Sequence, residues 1–153
     1  TSDKDYFVTF IDKNPDALTY SKDLLQSMNI NKMSNYQFKW INDTVNGFLD
    51  KNEEKFDIVE MVGLMDYFDD DRARTIFSKI YANLSQRGVF ITANINHNSE
   101  KPFVTRAIGW PMVYRSAEHL ARLVHEAGFP HTDVEVYYEP LKIHSIIIAR
   151  RKS

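Results

Sequence analysis

The chain has 153 residues, long enough for one domain with a sizeable core and short for two. Its 19 Lys+Arg stand against 21 Asp+Glu, a formal charge of -2, so no global field draws it to nucleic acid or to anionic lipid. Cysteine is absent, which removes disulfides, thiolate catalysis and cysteine-bound metal, and fits a reducing, cytoplasmic setting. No apolar run approaches the ~20 residues of a membrane helix, and "TSDKDYFVTF" lacks a signal peptide's basic head and apolar middle, so a soluble intracellular protein is expected.

No repeat, low-complexity stretch or Pro/Gly/Ser-rich linker divides the chain, and it reads as one unit. Residues 6–11 (YFVTFI) form a β-rich run, after which Asn14 supplies an N-cap and Pro15 a first-turn proline for a helix to about Met28. Residues 36–41 (YQFKWI) read as a second strand, followed by a short helix over 44–50 for which Asp43 is a natural cap. In "FDIVEMVG", residues 56–63, Ile58, Val59, Met61 and Val62 make a nearly continuous apolar run, as expected of a parallel strand covered on both faces.

In "DDDRARTIFSKIYANL", Ala73, Ile76, Phe77, Ile80, Tyr81 and Leu84 follow the helical 3, 4, 7, 8 spacing. Asp69, Asp70 and Asp71 stand at the amino end, where capping and the macrodipole favour acids. Gly88 then allows a turn into a strand over 89–95 (VFITANI). Ser116 caps a helix carrying Ala117, Leu120, Ala121, Leu123 and Val124, which Gly128 ends in a left-handed conformation. Two last strands, near 133–138 and 142–149, leave no room for a helix between them, so Pro140 marks an antiparallel connection. The order predicts an α/β, Rossmann-like doubly wound sheet that ends in an antiparallel hairpin.

Ligands of open α/β sheets bind beyond the carboxyl ends of the strands, here at Asp12 and Lys13, Asn42 and Asp43, Gly63 to Tyr67, and Asn94 to His97. A carboxylate at Asp12 suits both hydroxyls of a ribose, and a charge-assisted hydrogen bond contributes roughly 1.5–3 kcal/mol. Asp43, after the next strand, is placed to accept from an exocyclic adenine amine. Capping of the following helices would explain each acid on its own. His119 and His125 lie six apart on one helix, roughly 240° around its axis, and His131 and His144 have no obvious partners, which leaves no metal site to propose.

The succession "FIDKNPDAL", "FKWINDT", "FDIVEMVGLMDYFDDD", "LSQRGVFITANI" and "HEAGF" resembles the class I S-adenosylmethionine-dependent methyltransferases from their second strand to their carboxyl terminus. In particular it is similar to a group of bacterial methyltransferases with a Gly-Leu-x-Asp/Glu-Tyr-like segment after the fourth strand and a Trp-Pro-x-x-x-Arg-like segment after the fifth, here "GLMDYF" and "WPMVYR". The resemblance implies S-adenosylmethionine as cofactor, with Asp12 at its ribose and Asp43 at its adenine, and Lys13 and Asn42 beside them as further cofactor-binding residues. Gly63, Leu64, Met65 and Asp66 would flank its methionine part and the acceptor.

The family's Asp/Glu-x-Gly-x-Gly loop has no counterpart, for the five glycines, Gly47, Gly63, Gly88, Gly109 and Gly128, are isolated. The resemblance therefore implies the carboxyl-terminal part of a methyltransferase domain whose first, central strand, in the family order 3-2-1-4-5-7-6, lies outside this sequence. Without it, "FVTFI" and "DIVEMV" would pair directly, leave a gap or accept a strand from a neighbouring chain, so self-association through the incomplete sheet is expected.

Methyl transfer is an in-line displacement at a sulfonium carbon that mainly needs alignment and exclusion of water. A hydroxyl acceptor would also need a base, for which Asp66, Tyr67, His97 and Tyr114 are the candidates. Trp110, Tyr114 and Arg115 would form a lid over a small or lipid-like acceptor, with Arg115 holding an anionic group. Packing of the Ser116 helix onto the sheet explains Trp110 and Met112 equally well. Two other readings compete: a non-catalytic Rossmann-like interaction module, and an NAD-linked oxidoreductase, which also places an acid at the end of its second strand.

Overall fold

The structure, a computed structural model, describes residues 4–153. Cα proximity divides the chain into two compact units, Thr1–Asn52 and Glu53–Ser153.

In the first unit, β1 (Tyr6–Asp12) and β2 (Tyr36–Asn42) pair in parallel, in register from Tyr6 with Tyr36 to Asp12 with Asn42. Alternation puts Tyr6, Phe10, Tyr36, Phe38 and Trp40 on one face, where Tyr6 stacks on Tyr36 at 4.7 Å and Phe10 on Trp40 at 5.7 Å. Helix α1 (Pro15–Ser27) packs here, buries Leu18, and accepts a hydrogen bond from Trp40 Nε1 on Ser21 Oγ at 2.9 Å. Asn14 caps α1 as its sequence position requires, with Oδ1 accepting from Asp16 N at 2.9 Å. Helix α2 (Val45–Lys51) is capped by Thr44, whose hydroxyl accepts from Gly47 N at 3.0 Å. This corrects the expectation that Asp43 is the cap.

The second unit holds a four-stranded sheet of order β3-β4-β6-β5, made of β3 (Phe56–Met61), β4 (Leu84–Ile95), β5 (Val134–Tyr138) and β6 (His144–Arg150). β3 is parallel to β4, and β6 is antiparallel to both β4 and β5, as the short final connection dictates. Helices α3 (Asp70–Asn83) and α5 (Ala117–Glu126) pack on each other, α3 also against β4 and α5 against β5 and β6. Their periodic apolar residues Ile76, Phe77, Ile80, Leu120, Leu123 and Val124 form the core with Phe90, Phe129 and Ile147. Gly128, at φ 115, ends α5 as read from the sequence.

Four local expectations change. Helix α3 stops at Asn83, and β4 starts at Leu84, which is fully buried and pairs with Phe56, five residues before the expected start at Val89. Its early part is irregular: Arg87, at φ 61, takes the left-handed conformation, and the register shifts between Phe56 and Ile58. Gly88 serves close approach, because a Cβ there would meet Ser85 O at 2.9 Å and Phe56 O at 3.0 Å. Finally, β3 is an edge strand of its sheet, and Ile58 and Val62 are 64% and 55% exposed rather than covered. The stretch expected to be loop also contains a short helix α4 (Lys101–Arg106).

Candidate functional site

At the end of the first unit's parallel pair, Asp12 and Asn42 are the last residues in register, and Asn42 Nδ2 donates to Asp12 O at 3.0 Å. Asp43 is the next residue, so both acids stand at the carboxyl ends of neighbouring strands. The Asp12 side chain is exposed, and its Oδ1 accepts from Asn14 N at 2.8 Å. Lys13 is exposed. Asp43 Oδ1 accepts from Thr44 N at 2.7 Å, and Oδ2 pairs with Lys51 Nζ at 3.2 Å. The hydrogen bond from Lys51, and then that from the Thr44 amide, hold its carboxyl below the usual carboxylate range. A Cβ on Gly47 would lie 2.3 Å from Asp43 Oδ1, so the carboxylate occupies the space this glycine leaves open.

The second unit's carboxyl-end features are built differently. Gly63, at φ 80 and with no atom within 4 Å of where a Cβ would stand, turns the chain out of β3 by conformation alone. Leu64 is half-buried, and a single 3-10 turn, Met65–Tyr67, follows. The Met65 side chain is fully buried. Asp66 is buried as well, and its Oδ1 accepts from Asn94 Nδ2 at 2.7 Å and from Ile95 N at 2.9 Å.

Arg115, expected to hold an anion, is fully buried, and its guanidinium is engaged by the protein. Nε donates to Asp70 Oδ1 at 2.8 Å, Nη1 to Met65 O at 3.0 Å and Asn94 Oδ1 at 2.6 Å, and Nη2 to Phe68 O at 2.5 Å. Asp70 Oδ2 lies 2.8 Å from His119 Nε2. Burial raises the Asp70 pKa, but the hydrogen bonds from Arg115 and His119 outweigh it and leave it below the usual range. Asp69 is the N-cap of α3, accepting from Arg72 N at 2.8 Å, as the acidic run suggests.

Other predicted residues are brought together in pairs. Trp110 Nε1 donates to Tyr67 Oη at 3.1 Å, and both rings are about half exposed. The exposed His97 ring stacks on Tyr114 at 6.3 Å, with Lys101 Nζ 4.8 Å from the same Tyr114 ring. Tyr114 is buried, and among the described residues its hydroxyl is the buried side-chain group without a hydrogen-bond partner. The sequence gives Asp70 and His119 no site role, and Asn94 only a place in the stretch after a strand. For Asn94 the available signal is a polar residue set between Ala93 and Ile95 in an apolar strand.

No family model matches the chain, and no curated protein matches it. Solved structures do. It is similar to a possible exported protein of Bordetella parapertussis, with TM-score 0.81, 18% identity, and coverage of 95% of this chain and 53% of that one. An S-adenosylmethionine-dependent methyltransferase, SibL in its apo form, gives TM-score 0.72, 14% identity, and coverage of 99% and 51%. Magnesium protoporphyrin IX methyltransferase of Synechocystis PCC 6803, with bound SAH, gives TM-score 0.71, 11% identity, and coverage of 95% and 64%. The chain thus spans about half to two thirds the length of these structures. With its parallel β1-β2 pair and its β3-β4-β6-β5 sheet, it has the α/β fold of the class I methyltransferases.

Proposed function

We propose that the chain is the carboxyl-terminal part of an S-adenosylmethionine-dependent methyltransferase acting on a small-molecule or lipid-like acceptor in the cytoplasm. The observation that carries this reading is the pair of acids, Asp12 and Asp43, at the carboxyl ends of adjacent parallel strands in this fold. The residues suit a nucleoside. An exposed carboxylate at Asp12 is open to a diol, and Asp43, kept ionised by Lys51 and the Thr44 amide, is an acceptor for an amine. Lys13 and Asn42 flank them.

The bound cofactor supplies an electrophilic methyl group on a sulfonium. Gly63 and Leu64 border the methionine part, and the Tyr67–Trp110 pair gives an acceptor an aromatic wall with the exposed part of its rings. Of the candidate bases, Asp66 already accepts two hydrogen bonds and is buried, whereas the imidazole of His97 is exposed. His97 is therefore assigned to take the proton of a hydroxyl acceptor, and Asp66 to order the loop. The test is titration of the full-length protein with S-adenosylhomocysteine. Binding is expected, and Asp12→Ala should weaken it by about 1.5–3 kcal/mol, the contribution of a charged hydrogen bond. Unchanged affinity in that variant removes the ribose assignment.

A second reading, a non-catalytic module that assembles through its sheet, draws on the edge position of β3, its exposed Ile58 and the exposed Val62 that follows it. Failure of the full-length protein to bind S-adenosylhomocysteine, together with loss of self-association on Ile58→Lys, would favour it.

A further inference from the structure

We propose that Asn94 and Arg115 are positioning residues that hold the segment 63–68 in its ligand-competent shape. The inference rests on the reading that this segment borders the cofactor and the acceptor. Four hydrogen bonds in series run from α5 to that segment: His119 Nε2 with Asp70 Oδ2 at 2.8 Å, Asp70 Oδ1 with Arg115 Nε at 2.8 Å, Arg115 Nη1 with Asn94 Oδ1 at 2.6 Å, and Asn94 Nδ2 with Asp66 Oδ1 at 2.7 Å.

The chemistry of the series has a direction. A guanidinium only donates and a carboxylate only accepts, so the Asn94 amide fits between Arg115 and Asp66 in a single orientation. Asn94 Nδ2 also donates to Val113 O at 2.8 Å, and Val113 N to Asp66 O at 2.7 Å, which ties the stretch before α5 to the same turn. Arg115 adds bonds to the carbonyls of Met65 and Phe68, one at each end of the 3-10 turn.

A segment with one 3-10 turn has few backbone bonds of its own. Its two flanking carbonyls and its one buried acid are instead held from behind by side chains that are themselves fully buried. Groups fixed in this way leave the segment's other face for a ligand without an ordering cost at binding. The four acceptors of Arg115 lie on three different parts of the chain, so this one buried side chain joins the segment to α3 and β4.

The test replaces the donor of Asn94 by an acceptor of the same shape. In Asn94→Asp the new carboxylate faces Asp66, and close by are Arg115 beside it, Asp70 on α3 and His119 on α5. Two adjoining carboxylates share a proton more readily as pH falls, and the protonated form donates to Asp66 as the amide does. Affinity of the full-length variant for S-adenosylhomocysteine should therefore be about tenfold or more below wild type near pH 8 and return towards it near pH 5.5. The wild-type profile corrects for His119, and Ile76→Val, a core truncation on α3, shows what loss of stability alone does.

Affinity equal to wild type across that range in folded Asn94→Asp, or a deficit matched by Ile76→Val, overturns the inference while the cofactor reading stands. If Asn94→Asp does not fold, Arg115→Lys decides: it keeps the charge without the planar fork. A loss of affinity beyond that of Ile76→Val supports the positioning role, and wild-type affinity overturns it. Absence of binding by the wild-type protein overturns both the inference and the reading beneath it.

Discussion

The two carboxyl-end regions place acids in opposite settings. In the first unit, Asp12 and Asp43 lie at or near the surface, and their partners are close in sequence: Asn14 for Asp12, Thr44 and Lys51 for Asp43. In the second, Asp66 is buried and Asp70 is half-buried like Asp43, yet they bind Asn94, Arg115 and His119, 28, 45 and 49 residues away. Acids held only by near neighbours in sequence remain available to a ligand. Acids locked to distant partners are scaffolding, and their removal is expected to act on stability first.

The largest effect should come from Arg115→Met, which leaves the buried Asn94 Oδ1 and the carbonyls of Met65 and Phe68 without their donor. Leaving each buried acceptor without its donor costs about 1–3 kcal/mol, measurable by denaturant unfolding. Asp12→Ala should leave that stability within about 0.5 kcal/mol, as for an exposed site. If both variants unfold at the same denaturant concentration, the contrast between the regions is lost.

Gly47→Ala sharpens the comparison from the other side. Alanine stabilises a helix interior by roughly 0.5–1 kcal/mol relative to glycine, yet here its Cβ would displace Asp43 Oδ1 from a 2.3 Å approach. Adenosine affinity is expected to fall severalfold with no loss of thermal stability. A fall in both would mean that Asp43 cannot move aside and belongs to the scaffold.

The smallest effect is in pH dependence. The Asp70 carboxyl is depressed in the folded state, so it contributes stability above its ordinary value near 3.8, and that contribution is lost as pH falls from there through the lowered value. Its side chain is 39% exposed, so solvent screening keeps the contribution small. Asp70→Asn should flatten the acid limb of the stability profile, which unfolding measured at successive pH values would show.

What is legible in the sequence follows the same division. Asn14 and Pro15 announce α1, the periodic residues of α3 announce its buried face, and Gly128 announces the end of α5, because each signal lies within a few residues of what it controls. The strand-end acids are legible for the same reason. The burial of Arg115 is not, since its four acceptors come from Met65, Phe68, Asp70 and Asn94, which only the fold collects. Nor is the exposure of Ile58: an apolar run looks the same in a central strand and at an edge, and pairing decides which it is.

Titration of the wild-type protein and Asp12→Ala with adenosine and 2′-deoxyadenosine, by calorimetry, addresses the ribose contact directly. If Asp12 grips the diol, the wild type should prefer adenosine by roughly tenfold or more, and the variant should bind both alike. Equal affinities in the wild type, or a preference that survives in Asp12→Ala, would contradict it.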